Sequence, residues 1–295
     1  MHTIRSRRRL AAVAALTALT ALPSAPRALA GTVAPSARPV TEKAFSVKRF
    51  SARSTTVDNR FLPLVPGRQF TLTGTTTAGT HEVVFTVTDV TKWVDHVRTV
   101  VLWDRDFQDG ALSEEELAFM AQDDQGNVWS LGEYPEEVDG VTGARSAPRT
   151  WLAGHQGAHA GVLMRADPRP DTSAYLQGEA PAVGFLDKAT VAQANQKACV
   201  PTGCYRGVLV VDEWAPLQQP QDGHQFKYHA PGVGVVQVIG KGGTEQETLV
   251  LTKDRVLNQA ERQQATVRTL ELDLHAYGVA PAVYRHTAFA TVRPQ

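Results

Sequence analysis

The sequence is poor in sulfur and shows no surplus of charge. Its 295 residues contain two cysteines, Cys199 and Cys204, and three methionines. Thirty basic residues balance thirty acidic ones. No basic run of the nucleic-acid-binding type occurs past the N-terminus, which argues against a nucleic-acid partner. Nor does any apolar run approach the ~20 residues a membrane helix needs, so stable membrane insertion is not expected. Also missing are the Gly-x-Ser-x-Gly elbow, the His-Glu-x-x-His helix, the phosphate loop and Gly-x-Gly-x-x-Gly. The lack of such motifs does not exclude an enzyme, because catalytic groups are recognised by geometry.

The N-terminus is informative. Arg5, Arg7, Arg8 and Arg9 precede an apolar stretch from Leu10 to Leu22, and Ala28-Leu29-Ala30 forms a small-x-small cleavage site. This order predicts a signal peptide over residues 1–30 and a secreted or periplasmic protein after cleavage near Ala30. Ser6-Arg7-Arg8-Arg9-Leu10 also fits a twin-arginine signal, so the export route stays open. Cleavage would remove five arginines, leaving 25 basic against 30 acidic residues. In an oxidising compartment Cys199 and Cys204 are expected to pair across Val-Pro-Thr-Gly. A metal pair is the alternative, but the spacing is not that of Cys-x-x-Cys.

Residues 31–56 lack periodicity and are expected to form a flexible leader, with order beginning near Val57. Residues 57–295 are read as a single domain. Its dominant period is two, as in Val83/Phe85/Val87 and Val97/Val101/Trp103, with turns at Ala78-Gly79, Asp109-Gly110 and Gly126-Asn127. That pattern predicts a mainly β fold: an antiparallel meander forming a curved sheet or open barrel. Near the C-terminus the period changes. Val256, Ala260, Val267, Leu270, Leu274 and Tyr277 recur at helical spacing, which predicts one amphipathic helix at about 255–277 packed on the sheet. Gly278 is expected as its left-handed cap, and Pro281 bars continuation.

The most distinctive stretch runs from Ala121 to Glu133: Ala-Gln-Asp-Asp-Gln-Gly-Asn-Val-Trp-Ser-Leu-Gly-Glu. With Asn59–Gly67, Trp151–Gly154, Glu213–Leu217 and Tyr228–Gly234, it resembles a family of bacterial secreted proteins, mostly of unassigned function. That family carries an Ala-Gln-Asp-x-x-Gly-Asn-Val-Trp-x-x-Gly-Glu hairpin. The resemblance spans most of the chain but implies no settled chemistry. Ser130 departs from it, because similar proteins often have an aromatic there, and its loss could open a pocket. Read from the residues alone, Gly126 and Asn127 make a hairpin turn and Trp129 supplies buried surface.

Three readings of function follow. The first is a binding protein holding a small or apolar ligand between sheet and helix, with Trp103, Trp129 and Trp214 as its walls. An exported enzyme is the second. It would use paired carboxylates, Asp123 and Glu133 with Glu136 as a further candidate, or a metal at His155 and His159 completed by His229, Glu133 or Asp167. Two histidines fall short of the three or four ligands such a metal needs, so no cofactor is predicted. The third is an envelope-associated structural protein, whose sign would be exposed apolar patches. Asp104–Gly110, with Glu115 beyond, loosely fits a calcium loop, but a polar hairpin turn explains it better. Oligomeric state is not legible.

Overall fold

A computed structural model describes residues 45–170, 173–219, 223–244 and 246–293. The expected signal peptide lies outside the described residues. Long strands come first: β1 (Arg68–Thr76), β2 (Gly79–Val94), β3 (Val97–Gln108), β4 (Ala111–Gln122) and β5 (Val128–Val138). Short pieces follow: β6 (Arg145–Ser146), β7 (Trp151–Leu152), β8 (His159–Met164) and β9 (Tyr175–Ala180). The second half holds β10 (Phe185–Val200), β11 (Gly203–Trp214), β12 (His224–Ala230), β13 (Gly234–Lys241) and β14 (Thr248–Val256). The chain ends in α1 (Gln259–Val279), α2 (Pro281–Tyr284) and β15 (Thr291–Val292).

All pairings are antiparallel, and sequential neighbours pair wherever a tight turn permits. The sheet is closed rather than open. β1 pairs with β2 on one side and β14 on the other, completing a twelve-stranded barrel. Closure satisfies the edge backbone groups that an open sheet would leave exposed. β5 changes partner part-way along, pairing with β8 through Val128–Ser130 and with β7 through Gly132 and Glu133. Gly132 permits the switch. Its φ is +153°, and a Cβ there would lie 2.6 Å from the Trp151 carbonyl oxygen.

Cys199 and Cys204 face each other across the β10–β11 hairpin, Cα atoms 4.0 Å apart, joined as a disulfide. The loop it closes is short and already held by strand pairing. Replacing both cysteines with Ala is therefore expected to cost at most about 2 kcal/mol. Urea melts of the two proteins check this, and a loss of twice that size would mean the bridge restrains more than its hairpin.

One end of the barrel is closed by residues 45–67, so part of the expected leader is docked structure. Phe45 and Phe50 pack against Trp129, with ring centroids 5.7 and 6.1 Å away. Asn59 donates to the Gly126 and Arg165 carbonyls and accepts from Phe61 and Leu62. The Gly232 N–H donates to the Arg60 carbonyl, and the Gly67 N–H to that of Val87. The segment thus crosses from the β4–β5 turn to the β12–β13 turn, with Val57 and Leu64 buried beneath it. The leader's composition hid this, because the anchoring aromatics are sparse and their partner, Trp129, is far away in sequence.

α1 packs on the outside of β2, β3 and β4. It begins later than expected, with Asn258 as N-cap in a reciprocal capping box with Glu261, because Lys253–Val256 belong to β14. Gly278 is not a left-handed cap; the helix runs through it to Val279, and Pro281 starts α2. The docked face also differs from the predicted stripe. Ala265, Thr269, Leu272, Asp273 and Ala276 are buried, whereas Val267 and Leu274 are 49% and 62% exposed and Val256 is 74% exposed. Ion pairs select the face: Arg262 with Asp89, Arg268 with Glu115, Asp273 with Lys92 and His275 with Glu136. Among the described residues no helix is long and apolar enough to cross a membrane.

Candidate functional site

Side chains alternate across a strand, so the position of α1 identifies the two faces of the barrel wall. The helix contacts Glu115 and Glu136, which places Trp103, Glu115, Leu117, Tyr134 and Glu136 outside. Their neighbours Asp104, Glu114, Glu116 and Glu133 therefore face inward. Register carries the assignment round the barrel. Asp104 lies opposite Phe85 and Glu116, Val83 opposite Asp106 and Leu72, Leu72 opposite Leu251, and Lys227 opposite Val211 and Val238.

The interior is two-sided. Leu72, Val211, Val238, Leu249 and Leu251 are fully packed. The side built by β3, β4 and β5 is acidic, and its side chains keep some accessible surface. Lys227 and Glu213, which form an ion pair across from it, are 30% and 16% exposed. These charged groups keep accessible surface on the inner face of the barrel wall.

Among the described residues, three interior cations are paired with acids. Arg149 pairs with Glu114 and Glu137, Lys227 with Glu213, and His81 with Asp106 and Glu247. Burial lowers the His81 pKa, but bonds to the two carboxylates outweigh it and raise the pKa to about 9. Asp104 and Glu116, directly opposite one another, have no side-chain partner in a hydrogen bond or ion pair among the described residues, although the Arg105 N–H donates to Asp104. Glu133 accepts one bond, from the Trp151 indole at 3.1 Å. Burial pushes the carboxyl pKa of Asp104 and Glu116 well above the ordinary range, and neighbouring acids push further. Glu133 is raised for the same first reason, and Glu114 reaches about 7.

Two further polar groups face the interior near the closed end. His229 is 4% exposed, and its Nδ1 lies 3.2 Å from the Phe61 carbonyl oxygen. Only a protonated Nδ1 can bond there. Burial lowers the ring's pKa to about 4, so near neutral pH Nε2 is an unprotonated acceptor, and it has no partner. Ser130, opposite Met120 on the inner face of β5, is 2% exposed, and its hydroxyl is also unpartnered.

The residues singled out from sequence are dispersed. Asp123 lies at the closed end, where it accepts from Arg49, Asn127 and Trp129. Those bonds hold its carboxyl below the usual range against the opposing effect of burial. Glu136 is outside, bonded to Tyr134, Arg145 and His275. Of the three proposed carboxylates only Glu133 faces the interior. Trp103 donates to Glu115, Trp129 to Asp123, and Trp214 stacks on His224 at 5.5 Å; the three rings do not share a wall. His155 stacks on His286 at 6.2 Å and lines a crevice with Thr150 and Trp151 that has room for about one water. His159 is exposed at the start of β8, and Asp167 is exposed in an ion pair with Arg169. Among the described residues no three His, Cys, Asp or Glu side chains are placed to hold a metal. No family model, no curated protein and no solved structure matches this chain.

The interior acids set up a stability test. A carboxyl whose pKa is raised by folding weakens the fold as pH climbs from its unfolded value, about 4, towards its folded one. The variant Asp104→Asn/Glu116→Gln removes that loss. It is expected to match the parent near pH 4 and to exceed it by at least about 1 kcal/mol at pH 8. Urea melts at the two pH values decide, and equal stability at pH 8 would mean the two carboxyls are solvated.

Proposed function

We propose that this chain is an exported binding protein that takes up a small polar molecule inside its barrel. The supporting observation is the set of enclosed, inward-facing polar atoms without partners: Asp104 Oδ1, Ser130 Oγ and His229 Nε2. An enclosed polar group left unpaired costs about 1–3 kcal/mol, which a bound molecule recovers. The docked segment 45–67 makes the barrel a cup rather than a tube. The disulfide and the expected signal sequence support export.

This reading moves the ligand from the sheet–helix interface to the interior. Ion pairs and the side chains of Leu272, Ala276 and Tyr284 occupy that interface. The test is native and denaturing mass spectrometry of protein purified from its own compartment. A retained small molecule is expected, lost on denaturation. Ala118→Phe, which places a ring on the inner wall between Leu102 and Glu133, should reduce its occupancy at least tenfold. A folded parent protein that retains nothing and binds nothing would sink the proposal.

A further inference from the structure

We infer that the tip of the β2–β3 hairpin and the C-terminal segment 285–293 form a surface that docks reversibly on an anionic phospholipid bilayer, whatever the barrel holds. Asp95 and His96, both with positive φ, make the tight turn between β2 and β3 and set Trp93 opposite Arg98. β15 pairs with β2 just behind that tip, Thr291 opposite Thr91 and Val292 opposite Val90. The Thr91 hydroxyl donates to the Thr291 carbonyl and accepts from the Arg98 guanidinium, so hairpin and tail are tied together. On this joined surface Trp93, Phe289 and Val292 are each more than half exposed. Phe289 is held in place by Tyr277, with ring centroids 4.5 Å apart.

The charge around these apolar groups is of one sign. Residues 51–57, 90–98 and 285–293 contain five basic residues and one acid, Asp95. Beyond residue 30 the chain as a whole has 25 basic against 30 acidic residues, so this end runs against the average. Lys92 is spent on Asp273, but Arg53, Arg98, Arg285 and Arg293 have no ion pair among the described residues. Arg98 and Arg293 are near enough to act on one another. Arg53 belongs with them, because the next residue, Ser54, donates its hydroxyl to the Arg98 carbonyl, and Arg293 donates to the Thr55 carbonyl. Arg285 stands beside His286, whose ring stacks on His155 next to the hairpin turn. The acids do not cancel this charge. Asp95 is turned against Gly154, where a Cβ would lie 2.8 Å from its Oδ1. Asp89 and Asp58, just beyond these stretches, are held by Arg262 and Gln122.

Protruding aromatic rings among unpaired arginines match the chemistry of a bilayer interface. The arginines meet lipid phosphates, and the Trp93 ring settles at headgroup level with its apolar body buried and its N–H in reach of a polar partner. The apolar groups stand on three separate pieces of chain, β2, the segment before β15, and β15 itself, and a fluid surface moulds to such projections. Contact of this kind is peripheral, in keeping with the lack of any helix among the described residues that could cross a membrane.

The experiment is vesicle co-sedimentation of the exported chain, purified from its own compartment so that no signal segment adds binding of its own. The vesicles are phosphatidylcholine alone, or phosphatidylcholine mixed equally with phosphatidylglycerol. Binding to the anionic vesicles is expected to be at least about tenfold tighter, and the difference to shrink as salt is raised. Trp93→Ala/Phe289→Ala should weaken that binding at least about tenfold, and Arg53→Gln/Arg285→Gln at least about fivefold. All four side chains are exposed, so both variants should keep the parent's urea midpoint. A second readout separates docking from folding: tryptophan emission should shift to the blue on anionic vesicles, and Trp93→Phe should keep the binding but abolish the shift. No binding to anionic vesicles, equal binding to both kinds, variants that bind like the parent, or a shift that survives in Trp93→Phe would each overturn the inference. Poly-glutamate bound as tightly as the vesicles, with no loss in Trp93→Ala/Phe289→Ala, would overturn it too and assign the surface to an acidic polypeptide.

Discussion

Asp273→Ala is expected to cost about 3–5 kcal/mol, because it strands a buried ammonium. Lys92 is wholly enclosed on the outer face of β2, its Nζ 2.9 Å from Asp273 Oδ1 on α1. It also donates to the Ala288 carbonyl at 2.7 Å and the Tyr277 hydroxyl at 3.2 Å, and lies 4.7 Å from the centre of the Tyr284 ring. The other carboxylate oxygen accepts from the Ala290 N–H at 2.8 Å, tying the C-terminal tail to the helix. The double variant Lys92→Met/Asp273→Leu should recover much of the loss, since no charge is left stranded. Urea melts of the parent, single and double variants form the test. A single variant as stable as the parent would show that the pair is solvated and does not anchor the helix.

The second large effect concerns which face of α1 meets the barrel. Leu272 is 1% exposed, and Leu272→Asp should cost at least about 4 kcal/mol, combining a lost packed side chain with a charge that has no partner. Leu274 is 62% exposed, and the same change there should stay within about 0.5 kcal/mol. The two positions are separated by one residue, so helix propensity hardly distinguishes them. Equal destabilisation would mean that the helix is rotated from the face described, and the ion pairs to Lys92, Glu115 and Glu136 would be lost with it.

That rotation illustrates what pattern reading misses. Both sides of α1 carry apolar residues, so the stripe through Val267, Leu270 and Leu274 looked adequate. The docked face is instead chosen by Asp273, Arg268 and His275, whose partners lie on strands more than a hundred residues earlier. A similar inversion hides the candidate site. Glu133 stood out within a distinctive motif, but Asp104 and Glu116 read as ordinary polar positions flanking a hairpin turn. In a one-sided sheet, polar members of an alternating strand face water. In this barrel the polar set on β3, β4 and β5 turns inward, and apolar Leu117 and Tyr134 lie beneath the helix.

β10 shows the limit for the fold itself. Ala192-Gln193-Ala194-Asn195-Gln196-Lys197 has little β-propensity and no alternation, yet it lies within a strand running from Phe185 to Val200. Pairing with β9 and β11 imposes the extended form, and register shifts near Gln193 and Gln196 absorb the misfit.

The sequence by itself determined the fold class, the C-terminal helix and the cysteine pair, because each rests on local chemistry: a period of two, a period of 3.6, and two thiols separated by a turn. Closure of the barrel, docking of residues 45–67 and the meeting of Asp104, Glu116 and Glu133 were decided only by tertiary structure. Those features join residues tens to more than a hundred positions apart. The sign of the environment each side chain enters, inside or outside the barrel, exists only once β1 has paired with both β2 and β14.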